Sequence, residues 1–367
     1  MRSPHLSALM AVRAQAGPEI HGDTIRFSLP DPARALRRVR LLLELRRPRE
    51  TDFERRPRDR TWRLELPSPA ADRLEYLLEL TSRDGSVEIA PDPTNPLRAR
   101  GAFGDKSVVE LPGYLPPAWL EEDAPPGDLE LTQIPLHAFR TTLEVPIWTA
   151  TGGSPGEELP LLVVHDGPEY EAFSSLLAYL DAAWADGRLP TMRAALVPPP
   201  RDRNQSYSAS AHYARALAHE LLPALAEAAP TPLGGTWRIG MGASLGALAI
   251  LHAHRVYPHL FGALFLQSGS YFRQRSDKQE SGFVRFGRIT RVVGQILGGK
   301  GSFEPVPVAM TCGAVEENLE NNRAVARALQ AQGYPVELVE IRDAHNWTAW
   351  RDGFDPHLAD LLQAVWR

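Results

Sequence analysis

Two rhythms of apolar and polar residues divide this chain. Between residues 20 and about 115, apolar positions alternate with polar ones: Thr24-Ile25-Arg26-Phe27-Ser28-Leu29, Val39 to Leu45, Trp62-Arg63-Leu64-Glu65-Leu66, and Leu74 to Leu80. A period of two lines one face of an extended chain, so each stretch predicts a half-buried strand. Turns rich in Pro and Asp separate them, including Asp92-Pro93-Thr94-Asn95-Pro96. Four or more short strands at this spacing predict a small β-sandwich. The charged stretch 46–60 reads as a solvated loop, and residues 1–19 carry no regular pattern. Residues 116–130, crowded with Pro, Gly and acid, predict a linker.

From 131 onward the rhythm changes. Continuous apolar runs predict strands over 142–149, 160–165, 193–197, 237–241, 263–267, 306–311 and 336–341. Helical spacing predicts helices over 170–185, 211–226, 318–332 and 356–366. Strands that alternate with helices predict a mainly parallel sheet covered on both faces. The expected organisation is a β domain (1–115), a linker (116–130) and an α/β domain (131–367).

The stretch Thr236 to His252, TWRIGMGASLGALAILH, organises the second part. An apolar strand runs into the turn Gly242-Ala243-Ser244-Leu245-Gly246, and a helix follows. G-x-S-x-G between strand and helix is a nucleophile elbow, a turn that lifts the serine Oγ clear of the sheet. Glycines at 242 and 246 avoid side chains where strand and helix approach. Leu245 opens the helix, so its N–H and the positive helix end are placed for an oxyanion. A chance match to five residues is the plain alternative, and the strand-turn-helix context disfavours it.

A serine nucleophile needs a base and an orienting acid, which in this fold follow it in the order acid, then histidine. Glu316 and Glu317 follow the strand that ends at Gly313, and His345 comes two residues after Asp343, at the end of the last strand. His345 is the candidate base. Glu316 is the first candidate acid, with Glu317 and Asp343 as alternatives; the plain role for Glu316 is a charge at a helix start. The loop His165-Asp166-Gly167-Pro168 occupies the position that supplies the second oxyanion N–H, and Gly167 is the candidate, since Pro168 has none.

Composition narrows the rest. The chain has 367 residues, 43% hydrophobic, with a formal charge of −5, enough for two domains. Its acidity argues against nucleic acid as partner. Cys312 is the single cysteine, so no internal disulfide forms and a reducing compartment is expected. No run approaches a membrane span of about 18 apolar residues, and the first residues are too weakly apolar for a signal peptide. The expectation is a cytoplasmic protein with no membrane association, no metal and no cofactor, and with a homodimer left open.

HDGPEY, GMGASLG, LQSGSYF (266–272), CGAVEEN (312–318) and DAHNWTAWRD (343–352) together resemble the enterochelin-esterase (Fes) type of serine esterase. That type sits in the esterase D-like group of the α/β-hydrolase superfamily. The resemblance covers nearly the whole chain. It implies an α/β-hydrolase sheet preceded by a small immunoglobulin-like β-sandwich whose D-P-x-N-P turn is Asp92 to Pro96. It implies a Ser244–His345–Glu316 triad, because the family acid stands three residues after the strand-end glycine. It also implies a small-molecule ester substrate, first of all a siderophore trilactone, with His165, Asp166, Arg203, Tyr271 and Trp347 as further candidates for substrate binding. One departure is clear: family members often carry Arg-x-x-Glu after the third strand, and here Arg203 is followed by Ser206. An insert rich in Arg and Phe (273–291) suits an anionic aromatic ligand or a solvated cap. The alternatives are a carbohydrate-linked, feruloyl or other small acyl ester, an acyltransferase, and an inactive glycan-binding protein.

Overall fold

The structure, a computed structural model, describes residues 17–45, 50–301 and 304–366. Residues 1–16 of the expected irregular start and 46–49 of the charged 46–60 stretch fall outside those residues, and Glu19 already belongs to a strand. The chain forms two compact units. One holds the N-terminal residues to Leu115, and the chain returns to it twice, at Gly313–Glu317 and Arg342–Ala349; the remainder forms the other.

In the first unit, strands β1 (Glu19–His21), β2 (Thr24–Pro30) and β5 (Thr61–Pro67) form an antiparallel sheet. A second sheet runs β4 (Glu50–Asp52), β3 (Leu36–Leu43), β6 (Arg73–Ser82), β9 (Lys106–Glu110), β8 (Arg98–Ala99), with β7 (Val87–Ala90) also on β6. Alternation sets which side chains go inside: Ile25, Phe27 and Leu29 lie opposite Leu66, Leu64 and Trp62, and all six are buried. Phe27 meets Tyr76 of the other sheet edge-on, ring centroids 5.2 Å apart. Burying one such phenylalanine contributes about 1.5–3 kcal/mol. The D-P-x-N-P turn is braced by Tyr76, whose hydroxyl donates to Asp92 Oδ2 at 2.8 Å, and by Asn95, whose amide donates to the carbonyl of Val108 at 2.7 Å. The core of this unit also takes in Ala344 and packs Val315, from the two returning segments. Within the stretch read as a solvated loop, Glu50–Asp52 pairs with β3.

The second unit carries an eight-stranded sheet in the order β10-β11-β13-β12-β14-β15-β16-β17. In chain order these are Asp128–Leu136 (β10), Thr141–Thr149 (β11), Leu161–His165 (β12), Arg193–Val197 (β13), Arg238–Ala243 (β14), Ala263–Gln267 (β15), Val308–Gly313 (β16) and Val336–Ile341 (β17). The strands from β13 to β16 are parallel, and β10 and β11 are antiparallel additions. Every residue of β12, β13 and β15 is buried, as two helix-covered faces require. β10 starts inside the segment expected as linker; it is an edge strand with Leu129 and Leu131 more than half exposed. The helix expected over 170–185 is two helices, α1 (Gly167–Ser174) and α2 (Leu176–Ala185), broken where Ser175 adopts φ 52°. No helix among the described residues is long and apolar enough to cross a membrane.

Candidate active site

The elbow forms as its residues require. β14 ends at Ala243, and the helix Leu245–Val256 starts one residue later. Ser244 between them has φ 55° and ψ −119°, a region open to glycine and costly for other residues. The surroundings impose it. Ser244 N–H donates to the carbonyl of Gln267 at 2.9 Å, and its own carbonyl accepts from Ser270 N–H at 3.1 Å. A Cβ at Gly242 would lie 2.7 Å from the carbonyl carbon of Gly246, so the turn closes only with glycine there. At Gly246 a Cβ would come within 3.3 Å of Asp166 Oδ2. Ser244 Oγ is hydrogen-bonded to Ser270 Oγ at 3.0 Å. Leu245 holds the first helical N–H, one of the four at a helix start without an intrahelical acceptor.

A buried polar network lies under this end of the sheet. Gln267, at the tip of β15, accepts from Tyr170 Oη at 2.8 Å and donates to Thr311 Oγ1 and to the carbonyl of Trp350, both at 3.0 Å. Trp350 Nε1 donates to Ser268 Oγ at 3.0 Å. These partners stand far apart in the chain, and all but Thr311 fall within the stretches HDGPEY, LQSGSYF and DAHNWTAWRD that carry the family resemblance.

The loop after β12 is locked from beneath. Asp166 takes a left-handed conformation (φ 54°) and accepts two hydrogen bonds from Arg203, at 2.8 and 2.6 Å. Arg203 is thus paired with an acid from another strand end, while Ser206 stands three residues after it. His165 is fully buried, stacked on Tyr207 and joined through Nε2 to Tyr213 Oη at 2.9 Å. Burial pushes its pKa down to about 3, so it stays neutral. The glycine at 167 answers to packing: a Cβ would lie 2.3 Å from Cα of Leu196 on β13. Tyr271 is also fully buried, its ring against Gly269. His165 and Tyr271 therefore line the interior in this structure, whereas Arg203 is one-third exposed.

In the first unit, His345 and Glu316 meet: Nδ1 stands 3.3 Å from Glu316 Oε2. The carboxylate is buried and the imidazole about a quarter exposed. Burial pulls the imidazole pKa down, but the charge of Glu316 and its hydrogen bond outweigh that and hold it above the ordinary histidine value. Asp343 is committed elsewhere. Its Oδ2 accepts from Arg73 Nη1 at 3.0 Å, and its Oδ1 accepts from Ala344 N–H at 2.7 Å and Asn346 Nδ2 at 2.9 Å. Trp347, half-buried, opens the short helix Trp347–Asp352.

Comparison with known proteins bears on this chemistry. The Esterase family model, described as "Putative esterase", matches residues 148–361. The chain is 26% identical over 322 residues to the Iron(III) enterobactin esterase of Escherichia coli K12, covering 84% of this chain and 75% of that one. With the enzyme of the same name from Dickeya dadantii it shares 27% over 274 residues, 71% of this chain and 62% of that one. The structure of the enterobactin esterase FES from Shigella flexneri in the presence of enterobactin matches with a TM-score of 0.74 at 23% identity, over 96% of this chain and 97% of that one. That of the ferric enterobactin esterase from Salmonella typhimurium gives 0.76 at 22%, over 98% and 99%. At such identity the two structures show the fold: an α/β-hydrolase with an N-terminal β domain. The family match spans more than half of the sequence, and so this chain belongs to the Esterase family and is an ester hydrolase.

Proposed function

We propose that this chain hydrolyses carboxylic esters through an acyl-enzyme on Ser244. His345 is the base, and Glu316 fixes its tautomer and stabilises the imidazolium. Ser244 Oγ attacks the ester carbonyl carbon while His345 Nε2 takes its proton. That proton then goes to the departing alkoxide. Water, activated by the same imidazole, attacks the acyl carbon and restores the serine. Leu245 N–H and the Gly167 loop hold the oxyanion, and a glycine at 167 keeps that loop close to the sheet. The observation that carries this reading is the backbone of Ser244, held at φ 55° and ψ −119° at the head of a helix. Strain of that kind persists only where the surroundings over-determine it. The His345–Glu316 pair supports it further.

The relatives named above point to the substrate class, a siderophore trilactone such as the one their names give. Asp166–Arg203 and Trp347 are the candidate contacts for an anionic, aromatic ester. Ser244→Ala is expected to lower turnover of p-nitrophenyl butyrate by at least about 10³-fold. Wild type should also linearise ferric or iron-free catecholate trilactones. Undiminished turnover by the Ser244→Ala variant defeats the mechanism, and activity on simple esters with none on trilactones defeats the substrate class alone.

A further inference from the structure

Arg73 opens β6, and only 4% of it is exposed. A guanidinium in such a place is costly to bury unless its partners are exact in geometry. Arg73 Nη1 donates to Asp343 Oδ2 at 3.0 Å and stands 3.5 Å from Glu75 Oε1, and the guanidinium lies 5.4 Å from the ring centroid of Tyr114. Asp343 passes this anchoring on, because its other oxygen holds Ala344 N–H and Asn346 Nδ2, the neighbours of His345 on either side. Asn346 Oδ1 in turn accepts from Ala349 N–H at 2.8 Å. Beside this runs a backbone tie: Asp72 N–H donates to the carbonyl of Arg342 at 2.6 Å, and Arg342 Nε donates to Asp72 Oδ1 at 2.8 Å. Ala344 is 3% exposed in the sandwich core. Gly313, from which the Glu316 segment departs, leaves no room for a Cβ, which would lie 2.5 Å from the carbonyl oxygen of Asp343. The residues around His345 are therefore gripped by the β strands of the first unit, and its own ring is left to meet Glu316.

We propose that Arg73 is a positioning residue for the base of this enzyme. Acting through Asp343, it fixes the 343–346 turn so that His345 Nδ1 faces Glu316. The N-terminal β unit is in this sense a working part of the esterase. This inference rests on the reading of His345 as the base.

The test compares Arg73→Met, Arg73→Lys and Asp343→Asn with wild type, each alone and in a His345→Ala background, on p-nitrophenyl butyrate. Arg73→Met is expected to lower kcat by about 10²-fold, the scale of a small misplacement of a catalytic group. KM should change by less than about threefold, because uniform binding is untouched. Arg73→Lys should recover part of the loss, and Arg73→Met/Asp343→Asn should be no worse than either single change, as for residues that act as one unit. In the His345→Ala background, Arg73→Met should alter the residual rate by less than about twofold while lowering the melting temperature as much as it does in wild type. An unchanged kcat, or an equal loss with and without the imidazole, overturns the inference. If Arg73→Met does not fold, the near-isosteric Asp343→Asn carries the same comparison. Loss of activity in Ser244→Ala and His345→Ala with none in the Arg73 and Asp343 variants defeats only the positioning role. Full activity in Ser244→Ala or His345→Ala defeats the catalytic reading beneath it.

Discussion

His345 is subject to opposing forces, and Glu316 wins: burial lowers the imidazole pKa, and the carboxylate raises it further. Two consequences follow with opposite signs. On the proposed mechanism the base must be neutral, so kcat/KM should fall as pH drops through an apparent pKa above the ordinary histidine value of about 6.5. In Glu316→Gln that midpoint should move down, and the plateau rate should fall by about 10²-fold or more. Stability runs the other way. A group whose pKa is raised on folding contributes fully below its unfolded value and loses that contribution as pH rises through the folded one. Glu316→Gln should therefore cost more stability near pH ~5.5 than near pH ~9, as denaturant melts at the two values can show. Equal costs at both would mean that the pair carries no charge interaction. Ser244 offers a separate check on strain. Its φ 55°, ψ −119° backbone suits glycine, so Ser244→Gly should be more stable than Ser244→Ala by about 1 kcal/mol, with both inactive.

Among the elements, the elbow was the most legible because everything it needs is local: a strand, five turn residues and a helix within seventeen positions. The strands with two buried faces were legible for the same reason, since their apolar runs are unbroken. β10 was not. Its outer half is exposed and lies among prolines and acids, and only pairing with β11 makes it a strand. Nor was the break at Ser175, because a serine at φ 52° has no sequence signature. In the sequence Gly167 reads as the candidate for the second oxyanion N–H, yet the nearest neighbour to its missing Cβ is the Leu196 backbone of β13. Gly167→Ala should therefore cost about 1–3 kcal/mol of stability through overpacking, measurable as a lower denaturant midpoint at unchanged slope. A variant as stable as wild type would show that α1 can shift to make room.

For the molecule as a whole, the division into a β part and an α/β part could be read from the change of hydrophobic period, but the membership of the His345 and Glu316 segments could not. Both follow strands of the eight-stranded sheet, and both belong with the N-terminal unit, where Ala344 joins the core and Asp343 meets Arg73 across 270 positions. No periodicity encodes a contact at that separation; only the buried arginine hints at it, and only once its burial is known. The most direct measurement is to map covalent labelling by a fluorophosphonate with mass spectrometry of peptides. A single adduct on Ser244 in wild type, slowed by at least about 10²-fold in His345→Ala, is the expected result. An adduct on another residue, or labelling of Ser244 at the same rate without His345, would contradict it.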